Sequence, residues 1–196
     1  MAVSVILLAA LWPLMLLIAV LIKLGSNGPL LFKQERVGKD RRPFRMYKFR
    51  TMIDNAERQG TGLFSYENDP RVTKVGKYLR KTSLDELPQL CNVLLGSMSI
   101  VGPRPPVLAE LDEMNELDKD ALTVRFQVKP GITGLAQVSG RNALRWEEKL
   151  VFDKIYVQRF GRRGIIEDIV ILIRTVWVIL FMRDVIEQPP KDLAQT

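Results

Sequence analysis

The sequence predicts an α+β fold, a small membrane-associated domain with an N-terminal apolar helix, a β-hairpin, several short helices and interfacial amphipathic helices. Three observations predict it. Residues 1–22, MAVSVILLAALWPLMLLIAVLI, carry no charged side chain. LLFKQERV and FRMYKFRTM read as two strands joined across the turn-forming GKDRRP. Further along, short runs with helical spacing alternate with Gly- and Pro-rich breaks. The 196 residues, 47% of them apolar, suit one folded domain flanked by a membrane segment, with boundaries at 1–24, 25–185 and a tail at 186–196.

As a helix the first segment extends roughly 33 Å, about the hydrocarbon thickness of a bilayer. It lacks the basic n-region and the small-residue cleavage site of a signal peptide. Pro13 removes a helical hydrogen bond near its middle, so a kink or break is expected there, giving either a kinked span or a re-entrant helix. Between Lys23 and Arg50 stand nine Lys or Arg against Glu35 and Asp40, which puts this flank in the cytoplasm. GSNGP at 25–29 separates the membrane segment from the hairpin. Residues 53–71 are polar and turn-rich and read as a mobile loop. VTKVGKYLRK reads as a short amphipathic helix that delivers Arg80 ahead of the next segment. From Leu84 the apolar positions 84, 87, 90, 91, 94 and 95 keep helical spacing up to Gly96, leaving Asp85, Gln89 and Asn92 on the other face. A strand at MSIV, the GPRPP linker, an acidic helical stretch at 106–122, the glycine-rich VKPGITGLAQVSGRN and a helix over WEEKLVFDKIYVQRF follow. GIIEDIVILIRTVWVILFMRD, 164–184, is apolar but interrupted by Glu167, Asp168 and Arg174. It reads as an interfacial helix, with a buried core helix as the competing reading.

A net charge of +7 points to an anionic partner: nucleic acid, an acidic membrane surface or a phosphorylated substrate. The single cysteine, Cys91, reads as a small buried hydrophobe in a reducing compartment. With no histidine, imidazole bases, Ser-His and Cys-His pairs and the commonest zinc ligands are excluded. Chemistry must run on carboxylates, cations, hydroxyls or a hard metal.

The stretch TSLDELPQL sets Asp85 beside Glu86. The plain reading is a capping box from Ser83 to Glu86. Pro88 argues for a helix start nearer Asp85, which leaves the pair at a helix mouth. Carboxylates there repel a phosphate unless one attacks phosphorus and the other holds a divalent cation. Adjacent residues diverge by about 100° on a helix, which favours two distinct roles.

QERVGKDRRPFRMYKFRTM, LRKTSLDELPQLCNVLLGSMSIVGPRPP and VKPGITGLAQVSGRN, in this order behind an apolar segment, resemble the bacterial sugar transferase family, specifically its small monotopic phosphoglycosyl transferases. The likeness covers nearly the whole chain. It implies transfer of a sugar 1-phosphate from a UDP-sugar to undecaprenyl phosphate with release of UMP, assisted by Mg²⁺, initiating glycoconjugate assembly. By that resemblance Asp85 is the nucleophile that forms a phosphosugar-aspartyl intermediate, and Glu86 helps to hold the metal beside it. An aspartate, ionised at pH 7, needs no histidine to activate it. Arg80, Arg104, Arg141 and Asp153 fall at family positions near the substrate phosphates or the dyad, as does Lys48. Arg104 is framed by Pro103 and Pro105, and Arg141 closes a glycine-rich segment whose N–H groups suit a phosphate. Asp153 lies in the apolar run LVFDKIYV, where it calls for an arginine or metal partner. The family's apolar segment is a re-entrant helix broken at a proline, here Pro13, which places the protein on the cytoplasmic face of the bacterial inner membrane among its lipids. A homo-oligomer is compatible with this reading, and no nucleic-acid partner is expected. One departure is the missing basic stretch before the apolar segment, which leaves room for a start upstream of Met1.

Two other readings compete. RRPFRMYKFR interleaves cations with aromatics as single-strand nucleic-acid grooves do. Asp118 and Asp120 form a D-x-D pattern of the kind a metal-dependent glycosyltransferase releasing UDP would use, within an acidic run that otherwise reads as a solvated face.

Overall fold

The uncharged apolar run holds no glycine before Gly25, and the computed structural model forms one helix over it, α1, Ala2–Gly25. It describes residues 2–58, 69–140 and 143–181. The expected break at Pro13 is absent: the helix runs through it. Proline withdraws one amide, but the eleven helical residues before it and the twelve after keep their own ladders. Val3–Gly25 is long and apolar enough to cross a membrane, and little of it is covered by protein. Ser4 is buried near its start, and in its C-terminal half Ile18 and Ile22 are buried in a cluster with Phe49 and Leu79, with Leu84 and Leu87 packed alongside.

The hairpin forms as the alternation predicts: β1 (Leu31–Val37) pairs antiparallel with β2 (Pro43–Phe49), Gln34 opposite Met46. Gly28, with φ +117, lets the chain turn between α1 and β1. A Cβ there would lie 2.2 Å from Nη1 of Arg50. That buried guanidinium donates to the carbonyls of Ser26 and Asn27 and so fixes the chain's exit from α1. The loop reading at 53–71 falls mostly outside the described residues. Its described ends hold a buried ion pair, Arg71–Asp69 at 2.7 Å.

Helix α2 (Lys74–Thr82) starts at an N-cap Thr73, whose hydroxyl accepts from Gly76 N. Gly76 lets the helix lie on the backbone of Thr51, since a Cβ there would sit 1.9 Å from the Thr51 carbonyl oxygen. The helix expected from Leu84 is instead two pieces, a 3₁₀ turn at Leu84–Glu86 and α3 (Gln89–Leu94), with Pro88 as the N-cap of α3. Proline tolerates that boundary because its missing N–H would have had no helical partner there. Gly96, at φ +82, follows the helix end as expected. Cys91 is half-buried rather than buried.

The rest of the domain packs around a two-stranded parallel sheet that was not legible as a pair: β3 (Ser99–Val101) and β4 (Gly131–Thr133). The acidic stretch is two helices, α4 (Glu110–Leu117) and α5 (Lys119–Arg125), divided at Asp118. After α6 (Leu135–Ser139) come α7 (Trp146–Arg163) and α8 (Ile165–Phe181). Leu122, Met114 and Leu150 make one core between α4, α5 and α7. On α8, Glu167 and Ile171 are buried while Ile165, Ile169, Ile173, Val176, Trp177 and Leu180 are exposed. A core helix is thereby excluded: one face packs on the domain and the apolar remainder faces outward.

Candidate active site

Asp85 and Glu86 stand in a turn whose flanking leucines are its anchors. Leu84 and Leu87 pack on the cluster formed by Ile18 and Ile22 of α1 with Phe49 and Leu79, so the acidic pair is held where α1 joins the domain. Ser83 takes a left-handed conformation (φ 58) that turns the chain out of α2, and its side chain caps nothing. The capping-box reading therefore fails. Glu86 uses its carboxylate elsewhere: Lys48 Nζ on β2 donates to Oε1 at 2.7 Å, and Arg104 Nη1 donates to the same oxygen at 3.4 Å.

The two neighbours have opposite electrostatics. Burial pushes Asp85 up to about 6, against the pull of Lys48, whose Nζ is 4.0 Å from Oδ2. Burial acts the same way on Glu86, but there the Lys48 and Arg104 cations outweigh it and hold the carboxyl down at about 2. One carboxylate is neutralised by two cations; the other is poorly solvated and engaged at longer range. A desolvated, weakly compensated carboxylate is the stronger nucleophile of the two.

Each sequence-predicted residue has a definite place. Lys48 and Arg104 meet at Glu86. Arg80, one helical turn beyond Gly76, donates from Nε to Thr51 Oγ1 at 2.9 Å and adds positive charge near Asp85. Asp153 is 2% exposed, and its Oδ2 lies 3.2 Å from Nε of Arg125. The arginine partner expected for it is thus Arg125, on α5. Arg141 lies outside the described residues. Two N–H groups of the glycine-rich segment are already used: Gly131 N donates to Pro103 O, and Gly140 N to Ala136 O at the end of the helix over Leu135–Ser139. Gly102 and Gly131 are in close backbone approach, a Cβ on Gly131 falling 2.1 Å from Gly102 N. Packing of β4 against the GPRPP linker accounts for these glycines.

Sequence reasoning missed Asn92 and Arg125. Asn92 is buried and works as a substitute strand: Oδ1 accepts from Tyr47 N at 3.0 Å and Nδ2 donates to Arg45 O at 2.7 Å, docking α3 onto the strand that carries Lys48. Its place opposite the apolar face of the 84–95 run was the available signal. The GPRPP linker has a similar logic. Three of its residues are prolines without N–H groups, yet four successive carbonyls are used, Pro103 by Gly131, Arg104 by Arg125, Pro105 by Arg36 and Pro106 by Val37. The linker is rigid at both dihedrals and hydrogen bonds.

The donor set suits Mg²⁺ in one manner. Among the described residues no three Asp, Glu, Cys or His side chains converge, so an all-protein cage is absent. Mg²⁺ is usually held by one or two carboxylates with substrate phosphates and water completing the shell, and Asp85 and Glu86 offer that number of hard oxygens. Asp118, the first residue of the D-x-D pattern, caps α5 by accepting from Ala121 N, and both it and Asp120 are exposed.

The sequence model of the family described as bacterial sugar transferase matches residues 1–182. Exopolysaccharide production protein ExoY of Sinorhizobium fredii is 40% identical, the match covering 92% of this chain and 83% of that protein. UDP-glucose:undecaprenyl-phosphate glucose-1-phosphate transferase of Escherichia coli is 44% identical over 76% of this chain, and galactosyl transferase CpsE of Streptococcus agalactiae is 47% identical over 79%. The chain spans about a third of the length of these last two, 33% and 35%.

Proposed function

We propose, from the premise that the chain belongs to the bacterial sugar transferase family, that it moves a sugar 1-phosphate from a UDP-sugar to undecaprenyl phosphate at the membrane surface, releasing UMP and beginning a glycoconjugate. One observation carries this reading: a buried carboxylate, Asp85, beside Lys48 and the Glu86–Arg104 pair, in a turn whose flanking leucines pack on the cluster that includes α1. The activity named for the Escherichia coli relative supports the substrate classes.

In the first half-reaction an Asp85 oxygen attacks the sugar-bearing phosphorus. A new P–O bond to the carboxylate forms as the bond to UMP breaks, and the electron pair leaves with UMP. In the second, a phosphate oxygen of the polyprenyl acceptor attacks the same phosphorus, the acyl phosphate bond breaks, and Asp85 is restored as a carboxylate. No proton need be moved to prepare Asp85 above about pH 6. Arg104 and Lys48 supply positive charge to the oxygens around phosphorus, where preorganised cations are worth most in a site shielded from water. Asp85 and Glu86 are the residues that would hold Mg²⁺, which when bound supplies Lewis-acid polarisation of phosphoryl oxygens.

The same reading has α1 inserted in the membrane from the cytoplasmic side as the unbroken helix that runs through Pro13. Its cationic flank, from Lys23 to Arg50, and the exposed apolar face of α8 support that placement. The decisive experiment is intact-mass spectrometry of the protein mixed with a UDP-sugar and no acceptor. A phosphosugar adduct is expected on the parent protein and none on Asp85→Asn. An adduct that survives Asp85→Asn would reject the nucleophile assignment.

A further inference from the structure

We propose that Arg125 is a positioning residue for the transfer reaction, acting through the backbone of Arg104, with the buried Asp153 as its own anchor. The inference rests on the reading above that Arg104 serves the reacting phosphate.

Arg125 is the last residue of α5 and is 2% exposed. A buried guanidinium in a place with no catalytic contact is costly unless each of its faces and edges is matched. Here they are matched one by one. Nε faces Asp153 Oδ2 at 3.2 Å, and Nη2 donates to the Arg104 carbonyl at 2.6 Å. Nη1 lies 3.6 Å from the Met114 sulfur. The cation sits over the rings of Phe126 and Trp146, 5.5 and 5.4 Å from their centroids. The shortest of these contacts is the one to Arg104.

That carbonyl belongs to the residue whose side chain reaches Glu86 Oε1 at 3.4 Å. Prolines fix φ at 103 and 105 and the Gly131 N–H holds the peptide that bears the Pro103 carbonyl, so the remaining freedom at this point is rotation of the peptide that bears the Arg104 carbonyl. Arg125 removes it. The carbonyls of Pro103 and Pro105 are held by Gly131 and Arg36, but neither of those contacts constrains the peptide that follows Arg104's own Cα. The fork geometry also explains why this residue is an arginine. It bridges Asp153 and Arg104 with two separate N–H groups, whereas a lysine at this depth meets Asp153 as a point charge without holding the carbonyl in a fixed plane.

The test is a double-mutant cycle on transfer with Arg125→Lys and Arg104→Lys, each alone and together, with melting temperature measured in parallel. Arg125→Lys retains the buried charge pair, and its melting temperature is expected to stay near that of the parent. Alone it should lower kcat about tenfold with a smaller change in KM for the UDP-sugar, and in the Arg104→Lys background it should lower kcat less than about twofold, since coupled residues are non-additive. Asp153→Asn, which keeps the shape and loosens the anchor, should show the same loss of additivity. An equal loss in both backgrounds, with or without a drop in melting temperature, makes the pair a general stability element and overturns the proposal. Full activity of Arg104→Lys would overturn it as well, while the phosphosugar adduct on Asp85 judges the reaction itself independently.

Discussion

At the scale of single residues, the two members of the dyad are chemically alike and differ through their neighbours. Glu86 holds two cations at one oxygen; Asp85 is buried with weaker compensation. That difference has a thermodynamic signature that activity assays do not see. In the unfolded chain Asp85 titrates at its ordinary 3.8, and in the folded protein near 6. Above pH 6 the folded state carries a charge it resists, so the penalty is complete there, shrinks as pH falls from 6 to 3.8, and is gone below that. Its size at neutral pH is on the order of 2 to 3 kcal/mol. Asp85→Asn is therefore expected to melt several degrees above the parent at pH 7.5 and to lose that advantage as the pH is lowered toward 4, measured by calorimetry. A variant less stable than the parent at pH 7.5 would contradict the burial argument. The resemblance, not any local pattern, marked Lys48, Arg80 and Arg104, and of these the structure brings Lys48 and Arg104 to Glu86 while Arg80 bonds Thr51. Arg125 was not legible, because an arginine ending an acidic helical run looks solvated until the fold brings Asp153, 28 positions later, against it.

At the scale of elements, what was legible followed strict periodicity: the hairpin, α2, α7 and α8 fall where alternation or helical spacing put them. What was not legible depended on pairings between distant segments. The strands β3 and β4 have three residues each, too few to show a period, and they pair in parallel across 29 residues of intervening chain. The division of 84–94 into a turn and a helix likewise answers to tertiary demands, because Leu84 and Leu87 must meet α1 while Gln89 and Asn92 turn inward. Asn92 is the test of that account. Asn92→Leu keeps the volume and deletes both bonds to β2, leaving the Tyr47 N–H and the Arg45 carbonyl without their partner. A loss of about 2 to 4 kcal/mol in denaturant unfolding is expected, as two buried backbone groups go unsatisfied. Transfer should fall with it at fixed folded fraction, because β2 carries Lys48. A neutral Asn92→Leu would mean that the hydrophobic contact of Val93 and Met98 with Met46 alone docks α3.

At the scale of the whole molecule, two apolar surfaces face outward and each is wired to a different part of the site. Helix α1 reaches the dyad through Leu84 and Leu87. Helix α8 reaches the Arg104 linker through the small parallel sheet: Thr175 meets Thr133 at 2.7 Å, and the Tyr156 hydroxyl bonds both Asp168 at 3.0 Å and the carbonyl of Val101 at 3.3 Å. Val101 is followed directly by GPRPP. If the donor arrives from water and the acceptor from the bilayer, the outer face of α8 should matter for one half-reaction and not for the other. Ile173 and Trp177 are both exposed on that face, and moving two such side chains from lipid into water costs about 1.5 to 3 kcal/mol each. With Ile173→Glu and Trp177→Glu combined, adduct formation from a UDP-sugar should persist at the parent rate, while turnover onto undecaprenyl phosphate in vesicles falls by about tenfold or more and vesicle flotation weakens. Retained turnover would show that α1 alone seats the site at the membrane. Equal loss in both half-reactions would trace the effect to the sheet that α8 supports, not to the bilayer.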